Sequence, residues 1–584
     1  VTGSGKTEAA DVLAARMARA GLGRGAYIAL PTTATAERMS ERHHGLHARM
    51  TGGDRPPGLT LVHGGAGDSG VVDAGADEAR AWMGADRRRQ LAADIAVGTV
   101  DQALLAAMPA RFASARLFGL APKVLVVDEV HAHDDYTGQL LAGLLRLHAA
   151  LGGSAILLSA TLTAGLKERL AQAFARGADW PSLDTAPLAS DAYPAVTVAD
   201  AAGTRAHRVD AHAGAHRRIP VATTDDPAAV RAHVLDVARR GGCALWMRNT
   251  VDDAIAAHDA LAAEHADVTL LHARFPAARR AELEARIMAR FGPDSRGADR
   301  AGAIVVATQV LEQSLDLDFD AMVADLKPID ALIQSAGRMR RHARDANGDP
   351  AGAGARDGRG ETALWVFGPR FSADPAADWY SAVLPRAAYV YPRIGWLWRT
   401  AELLETRGKL RQPDDLRNLI EHALADDDPD LPEGIDPKAI ETAADAYADR
   451  SHADDKLLNP NLGYTRADGQ WSDDDRVPTR LGESVELCLV AVGADGAWHP
   501  WGPRGYADGF VRVRANLITG LWDSLTADPR AVALTAAEPA LRSRVVMPLA
   551  FDTSQREWQY VPSGKHMPMI VYDPMRGLRF PSRA

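Results

Sequence analysis

The chain opens on Val1-Thr2-Gly3-Ser4-Gly5-Lys6-Thr7, which matches the end of the pattern G-x-x-x-x-G-K-[ST]. A loop of this kind joins a buried strand to the N-terminus of a helix. Its backbone N–H groups wrap phosphates, and its glycines keep side chains out of the way. That requirement commits the segment to an α/β layer architecture. Gly3, Ser4 and Gly5 would cradle the phosphates of a nucleoside triphosphate. Lys6 would reach the β- and γ-phosphates, and Thr7 would hold Mg²⁺ through its hydroxyl. The leading glycine and the preceding strand would come before Val1. The sequence therefore reads as the downstream part of a longer polypeptide, with a first lobe that lacks its first strand and has low stability as written.

At 584 residues the chain exceeds a single core, and roughly three or four domains are expected. The net charge of -10 argues against wholesale non-specific nucleic-acid binding but leaves room for a basic channel in an acidic body. Cys243 and Cys488 lie in separate apolar runs. They read as buried small hydrophobes in a reducing cytosol rather than a disulfide or zinc pair. No uninterrupted apolar run reaches the roughly 18 residues of a membrane span.

Short apolar runs alternate with helical patterns as far as about Pro369. Examples are Ala26–Leu30, Lys123–Val127, Ala155–Leu158, Cys243–Met247 and Ala303–Val306. Turn or polar residues bound each run, which is the pattern of buried parallel strands with crossover helices. A second series starts near Gly241. The reading is two α/β lobes over 1–205 and 206–370, then a helical region over 371–460, then a small terminal domain of short strands over 461–584. Residues 342–361 read as a surface loop, and Asp426-Asp427-Asp428 as a solvated acidic surface.

Four segments carry chemistry. The first is the phosphate loop. The second is Asp128-Glu129-Val130-His131 at the end of an apolar strand. Asp128 is placed to hold the Mg²⁺ shell, and Glu129 to orient and deprotonate an attacking water. A metal-nuclease reading of His131-Ala132-His133-Asp134-Asp135 is weaker, because no matching ligands recur at a sensible spacing. The third is Ser159-Ala160-Thr161, whose small hydroxyl residues can link the nucleotide site to a neighbouring surface. The fourth is Gln334-Ser335-Ala336-Gly337-Arg338-Met339-Arg340-Arg341. Arg338 and Arg341 are predicted on one helical face, where they can neutralise charge on a transferring phosphoryl group.

In this order the four segments resemble a superfamily 2 helicase. Longer stretches resemble one family, the CRISPR-associated helicase–nuclease of type I interference systems. They include Leu30-Pro31-Thr32-Thr33-Ala34-Thr35, Val97-Gly98-Thr99-Val100-Asp101-Gln102, Arg248-Asn249-Thr250-Val251 and His272-Ala273-Arg274-Phe275. The most specific is Ala307-Thr308-Gln309-Val310-Leu311-Glu312-Gln313-Ser314-Leu315-Asp316-Leu317-Asp318. Two positions depart from the family pattern: His133 replaces a usual tyrosine, and Ser335 a common arginine. The resemblance runs from Val1 to about Arg370 and is weaker beyond.

The resemblance implies two tandem RecA-like lobes with parallel sheets, followed by a helical linker and a small C-terminal domain. It implies ATP and Mg²⁺ as cofactors, with Asp316 and Gln334 added to the nucleotide-binding set. It also implies single-stranded DNA, contacted by Thr32, Thr33, Thr99, Gln102, Asn249, Thr250, Thr308 and Gln309, although each threonine alone reads equally as a strand end or helix cap. By the same resemblance, movement is 3′-to-5′ on the strand displaced by an RNA-guided surveillance complex, in the cytoplasm. The family's HD nuclease is not visible and is expected upstream or on a separate polypeptide. Two alternatives stay open: a DNA-repair or RNA helicase with the same engine, and a nucleotide-dependent switch that is not a motor.

Overall fold

The computed structural model describes residues 5–31, 59–62, 71–73, 91, 93–189, 193–211, 215–312, 315–352, 355–425, 431–459, 479, 484–541, 544–560 and 570–580. Contacts divide the chain into two compact units, Val1–Arg218 with Leu410–Leu481 and Ile219–Lys409 with Gly482–Ala584.

The first unit is built on strands β1 (Ala26–Leu30), β2 (Leu59–Val62), β3 (Val71–Asp73), β4 (Ile95–Thr99), β5 (Val124–Val127) and β6 (Ser154–Leu157). Their order is β3-β2-β4-β1-β5-β6, with every pair parallel except β2 with β3. Strands β1, β4 and β5 are buried at every residue. Alternation then sends side chains to two separate cores. Ala26, Ile28, Leu30, Val97, Val124 and Val126 pack with Ala10 and Ala14 of the helix Lys6–Arg19. Tyr27, Ala29, Leu125 and Val127 pack on the other face with Leu140, Leu141 and Leu144 of the helix Asp135–Ala150. A short antiparallel pair, β7 (Ala195–Asp200) and β8 (Gly203–Arg208), completes the N-terminal part.

The chain returns to this unit at Leu410, and the helix Asp436–Lys456 crosses the helix Asp135–Ala150. Arg450 pairs with Asp135 at 2.7 Å, and the Leu458 N–H donates to Ala107 O at 2.8 Å. Gly143 permits the approach, since a Cβ there would sit 2.4 Å from the Leu457 side chain. Residues 371–460, expected as one helical stretch, are distributed over both units and include a strand as well as helices. Asp426-Asp427-Asp428 lie outside the described residues.

The second unit is built on β9 (Arg217–Thr224), β10 (Ala244–Met247), β11 (Val268–Leu271), β12 (Ile304–Ala307), β13 (Ala321–Asp325) and β14 (Leu364–Phe367), ordered β11-β12-β10-β13-β14-β9. The strand series was expected to begin near Gly241. It begins instead at Arg217, because β9 is only partly buried and carries no apolar run. A further seven-stranded sheet spans Ser484 to Arg579 around Leu487, Leu489, Val511, Met547 and Leu549.

Two polar anchors organise the second unit. Asp318 is fully buried and accepts from Arg300 Nη1 and Arg359 Nη1, each at 2.9 Å, and from Arg344 Nε. Burial pushes its carboxyl up, but the guanidinium groups of Arg359 and Arg300 outweigh that and hold it below the ordinary value. Arg344 and Arg359 come from the segment expected to be a surface loop, and both are buried. The second anchor is His272. Its Nε2 donates to Arg576 O at 3.0 Å, and its Nδ1 accepts from Arg274 N–H at 3.1 Å. Arg576 also reaches Asp259, on the helix Val251–Ala262, at 2.9 Å, which docks the turn before Gly577–Arg579 against that helix.

Two outcomes follow from these anchors. Asp318→Ala leaves three arginines without their shared carboxylate and is expected to lower unfolding free energy by roughly 3–5 kcal/mol in urea titration; a loss below about 1 kcal/mol would refute the anchoring role. His272 has no free nitrogen to protonate, and burial pushes it from 6.5 to about 3. The unfolded chain therefore binds the extra proton first as pH falls. This contribution is intact above pH 6.5 and is lost progressively between 6.5 and about 3, by at most about 1.4 kcal/mol per pH unit. His272→Gln should flatten that part of the stability–pH curve.

Candidate nucleotide site and strand-end residues

In the first unit, β5 ends at Val127, and the ladder continues through Asp128 N–H to Ala29 O at 2.9 Å. Asp128 Oδ1 accepts from Glu129 N–H at 2.8 Å. Glu129 then takes a left-handed conformation, φ 50 and ψ 48, which turns the chain out of the sheet. The turn aims its carboxylate at the helix Lys6–Arg19, where Lys6 Nζ lies 3.8 Å from Glu129 Oε2. His131 Nδ1 stands 3.4 Å from the same oxygen and 2.8 Å from Ser159 Oγ. The phosphate-loop lysine, the strand-end carboxylates and the Ser159-Ala160-Thr161 loop thus form one chain of contacts.

The donor set fits a nucleoside triphosphate with its divalent cation. Gly5 caps the helix at φ 74, and Lys6 Nζ and Glu129 Oε2 are buried without a hydrogen-bond partner among the described residues. The helix N-terminus supplies partial positive charge, Lys6 a full one, and Asp128 a hard oxygen ligand. Thr7 lies in the first turn of the helix. Gly3 and Ser4 lie outside the described residues. Of the run that could suggest a nuclease, Asp134 caps the helix Asp135–Ala150 by accepting from Thr137 N–H at 2.7 Å, and Asp135 pairs with Arg450. Among the described residues no three His, Cys, Asp or Glu side chains gather as metal ligands.

In the second unit, the helix Ile329–Ala336 carries Gln334 and ends at Gly337. Arg338 and Arg341 were expected on one helical face. They are not, because Met339 bridges to Phe319 and Arg340 adopts φ 49, so the chain past Gly337 turns away instead of continuing the helix. Arg338 is buried and donates to Glu312 O at 2.6 Å; Arg341 Nε pairs with Asp316 Oδ1 at 2.6 Å. Asp316 also meets His342 at 2.9 Å. Ser335 sits over Glu312, whose carboxylate takes Lys327 Nζ at 2.9 Å and the Ser335 hydroxyl.

The residues expected along a nucleic-acid strand are placed unevenly. Thr32 and Thr33 lie outside the described residues. Thr99 caps the short helix Val100–Leu104, which carries Gln102. Thr250 caps the helix Val251–Ala262 through Asp253, and Thr308 follows β12. Gln309 Nε2 donates to Tyr391 OH at 2.9 Å. Asn249, also expected along the strand, is buried, and its amide donates to Leu326 O at 2.8 Å and Tyr380 OH at 3.2 Å. Sequence reasoning missed Tyr380, Lys327 and the buried pair of Arg248 with Asp325 at 2.9 Å. The charged ends of β10 and β13 were the available signal for that pair.

Residues 1–168 match the DEAD/DEAH box helicase family, and residues 240–344 match the family described as CRISPR-associated nuclease/helicase Cas3, C-terminal. The class of protein these matches define is that of the DEAD/DEAH box helicases. It is 34% identical over 495 residues to the CRISPR-associated endonuclease/helicase Cas3 of Thermus thermophilus, covering 75% of this chain and 50% of that one. Against the Cas3 of Escherichia coli the identity is 30%, covering 74% and 48%. The crystal structure of T. fusca Cas3 with ATP superposes with a TM-score of 0.82 at 29% identity, covering 99% of this chain and 68% of that one. A chain of a CRISPR RNA-guided surveillance complex in a pre-nicking state gives 0.74 at 27% identity, with 99% and 67% covered. The chain belongs to the Cas3 family of CRISPR-associated helicases, and it spans about half the length of the curated relatives it matches.

The backbone at Glu129 has a direct consequence. Glu129→Gly and Glu129→Ala lose the same side-chain contacts, but only glycine accepts φ 50 without cost. The glycine variant is expected to be more stable than the alanine variant by about 1 kcal/mol in denaturant titration. Equal stabilities would show that the turn relaxes.

Proposed function

We propose that this chain is an ATP-dependent motor that moves along and unwinds DNA in CRISPR interference. Its strand would be single-stranded DNA delivered by an RNA-guided surveillance complex, with 3′-to-5′ movement. The relatives' names and the surveillance-complex neighbour support that reading. The observation that carries it is the contact chain from Lys6 through Glu129 and His131 to Ser159. It links phosphate binding to a loop beyond the nucleotide, which a motor needs and simple nucleotide binding does not.

In this reading Lys6 and the helix N-terminus bind the triphosphate, with Thr7 and Asp128 holding magnesium. Magnesium supplies charge screening of the phosphates. Glu129 orients the attacking water and takes its proton. The reaction moves charge onto the departing phosphate, and Arg338 and Arg341, released from Glu312 and Asp316, supply compensating charge during turnover. Asp316 and Gln334 complete the nucleotide set. Thr32, Thr33, Thr99, Gln102, Asn249, Thr250, Thr308 and Gln309 are the strand contacts in this reading, short polar side chains suited to phosphate and sugar and hence to any sequence. We further propose 1–205 and 206–370 as the two motor lobes, with 371–460 and 461–584 as accessory regions. No described helix is long and apolar enough to cross a membrane, and a cytoplasmic setting follows from the reading.

The test is ATP hydrolysis with and without single-stranded DNA, beside Lys6→Ala and Glu129→Gln. Single-stranded DNA should raise the rate, and each variant should cut it on the order of 10²–10³-fold. Glu129→Gln should retain ATP binding. A rate that neither DNA nor RNA changes would sink the motor reading and leave a nucleotide switch. Stimulation by RNA alone would favour an RNA helicase.

A further inference from the structure

The loop that follows β6 is held from outside by residues far along the chain. Tyr193 OH donates to Ala160 O. Arg417 Nη1, on the helix Leu416–Ala423, donates to Leu162 O at 2.9 Å. Glu421 Oε1, one turn further on, accepts from Ala164 N–H at 2.8 Å and pairs with Arg417 Nη2 at 2.7 Å. Within the loop, Ser159 Oγ accepts from Thr161 N–H at 3.1 Å while it meets His131. Arg417 is 5% exposed, so its charge is worth burying only against a fixed partner set. All of these groups lie in the first unit.

The geometry suits a clamp. Leu162 O and Ala164 N–H flank Thr163, which caps the helix Ala164–Gly177. Arg417 and Glu421 address one carbonyl and one amide on either side of that cap. The loop therefore cannot slide along its own axis without breaking a buried charged contact. At its other end the same loop meets His131 and, through it, Glu129. A displacement imposed at Glu129 when phosphate is cleaved would turn the loop as a whole, since its far end is fixed.

We infer that Arg417 and Glu421 are positioning residues that hold the Ser159-Ala160-Thr161 loop in register, so that ATP hydrolysis is converted into movement along the strand. This rests on the motor reading given above. The helix Leu416–Ala423 is then part of the transmission rather than a linker. Neither residue belongs to the nucleotide or strand set of the motor reading. Their loss leaves the hydrolytic groups in place but removes the fixed point against which the loop works.

The experiment compares the unvaried chain with Arg417→Ala, Arg417→Lys and Glu421→Gln. Readouts are ATP hydrolysis with and without single-stranded oligodeoxythymidine, duplex unwinding per ATP consumed, and thermal unfolding. Basal hydrolysis and the half-saturating oligonucleotide concentration should stay within about twofold, whereas stimulated hydrolysis and unwinding per ATP fall at least about tenfold in Arg417→Ala. Arg417→Lys, which keeps one of the two contacts, should recover part of the loss. Glu421→Gln, which keeps the acceptor for Ala164 N–H but not the ion pair, should fall between. An Arg417→Ala chain stimulated as strongly as its parent overturns the clamp alone. So does a loss of basal and stimulated rates in equal proportion with a lowered melting temperature. A parent that oligodeoxythymidine does not stimulate overturns the motor reading, and the clamp with it.

Discussion

Strands β1, β4, β5, β10, β12 and β13 are buried along every residue. A parallel strand covered on both faces has no place for an uncompensated polar side chain until it ends. The carboxyl ends of these strands are therefore where polar groups collect. Thr99 ends β4, Asp128 and Glu129 follow β5, Arg248 and Asn249 follow β10, and Thr308 follows β12. In open α/β sheets this edge is where ligands bind. The helices on the two faces of the first sheet do more than shield it. The helix Lys6–Arg19 is set by its contact with β1 and β5, and that contact brings Lys6 to the carboxylate beyond β5.

The second unit solves a different problem, which is to keep a run of motif residues in place without a strand or helix around them. Residues 315–319 and 338–344 are mostly irregular. Asp318 and its three arginines provide the fixed point, since a buried carboxylate with three charged donors tolerates little displacement. Asp316 and Arg341 flank that point and pair with each other. The conformation of the arginine segment is thus set by a buried ion network, and the helix that precedes it stops at Gly337.

Much of this architecture was legible in the sequence because it depends on runs. Ala26–Leu30 and Cys243–Met247 announce buried strands by uninterrupted apolarity, and Asp128-Glu129 announces a site by putting two acids after such a run. What stayed hidden depends on partners distant in the chain. Asn249 belongs to a motif, yet its amide is taken by Leu326 and Tyr380. The segment 342–361 looks polar and solvated, yet Arg344 and Arg359 are buried because Asp318 is there to receive them. Strand β9 escaped notice because a strand near a sheet edge has no need of an apolar run.

The sequence by itself determined the phosphate-loop pattern, the two parallel-sheet series and the membership of a helicase family, because local composition and motif order suffice for these. Only the tertiary structure decided how the motifs act together. It joined Lys6 to Glu129 and His131 to Ser159, kept Arg338 and Arg341 off one helical face, and brought Arg417 and Glu421 against a loop about 255 residues earlier. The reason is physical. Hydrophobic periodicity is written within a few residues, whereas the pairing of buried charges is satisfied only once distant segments have been packed together.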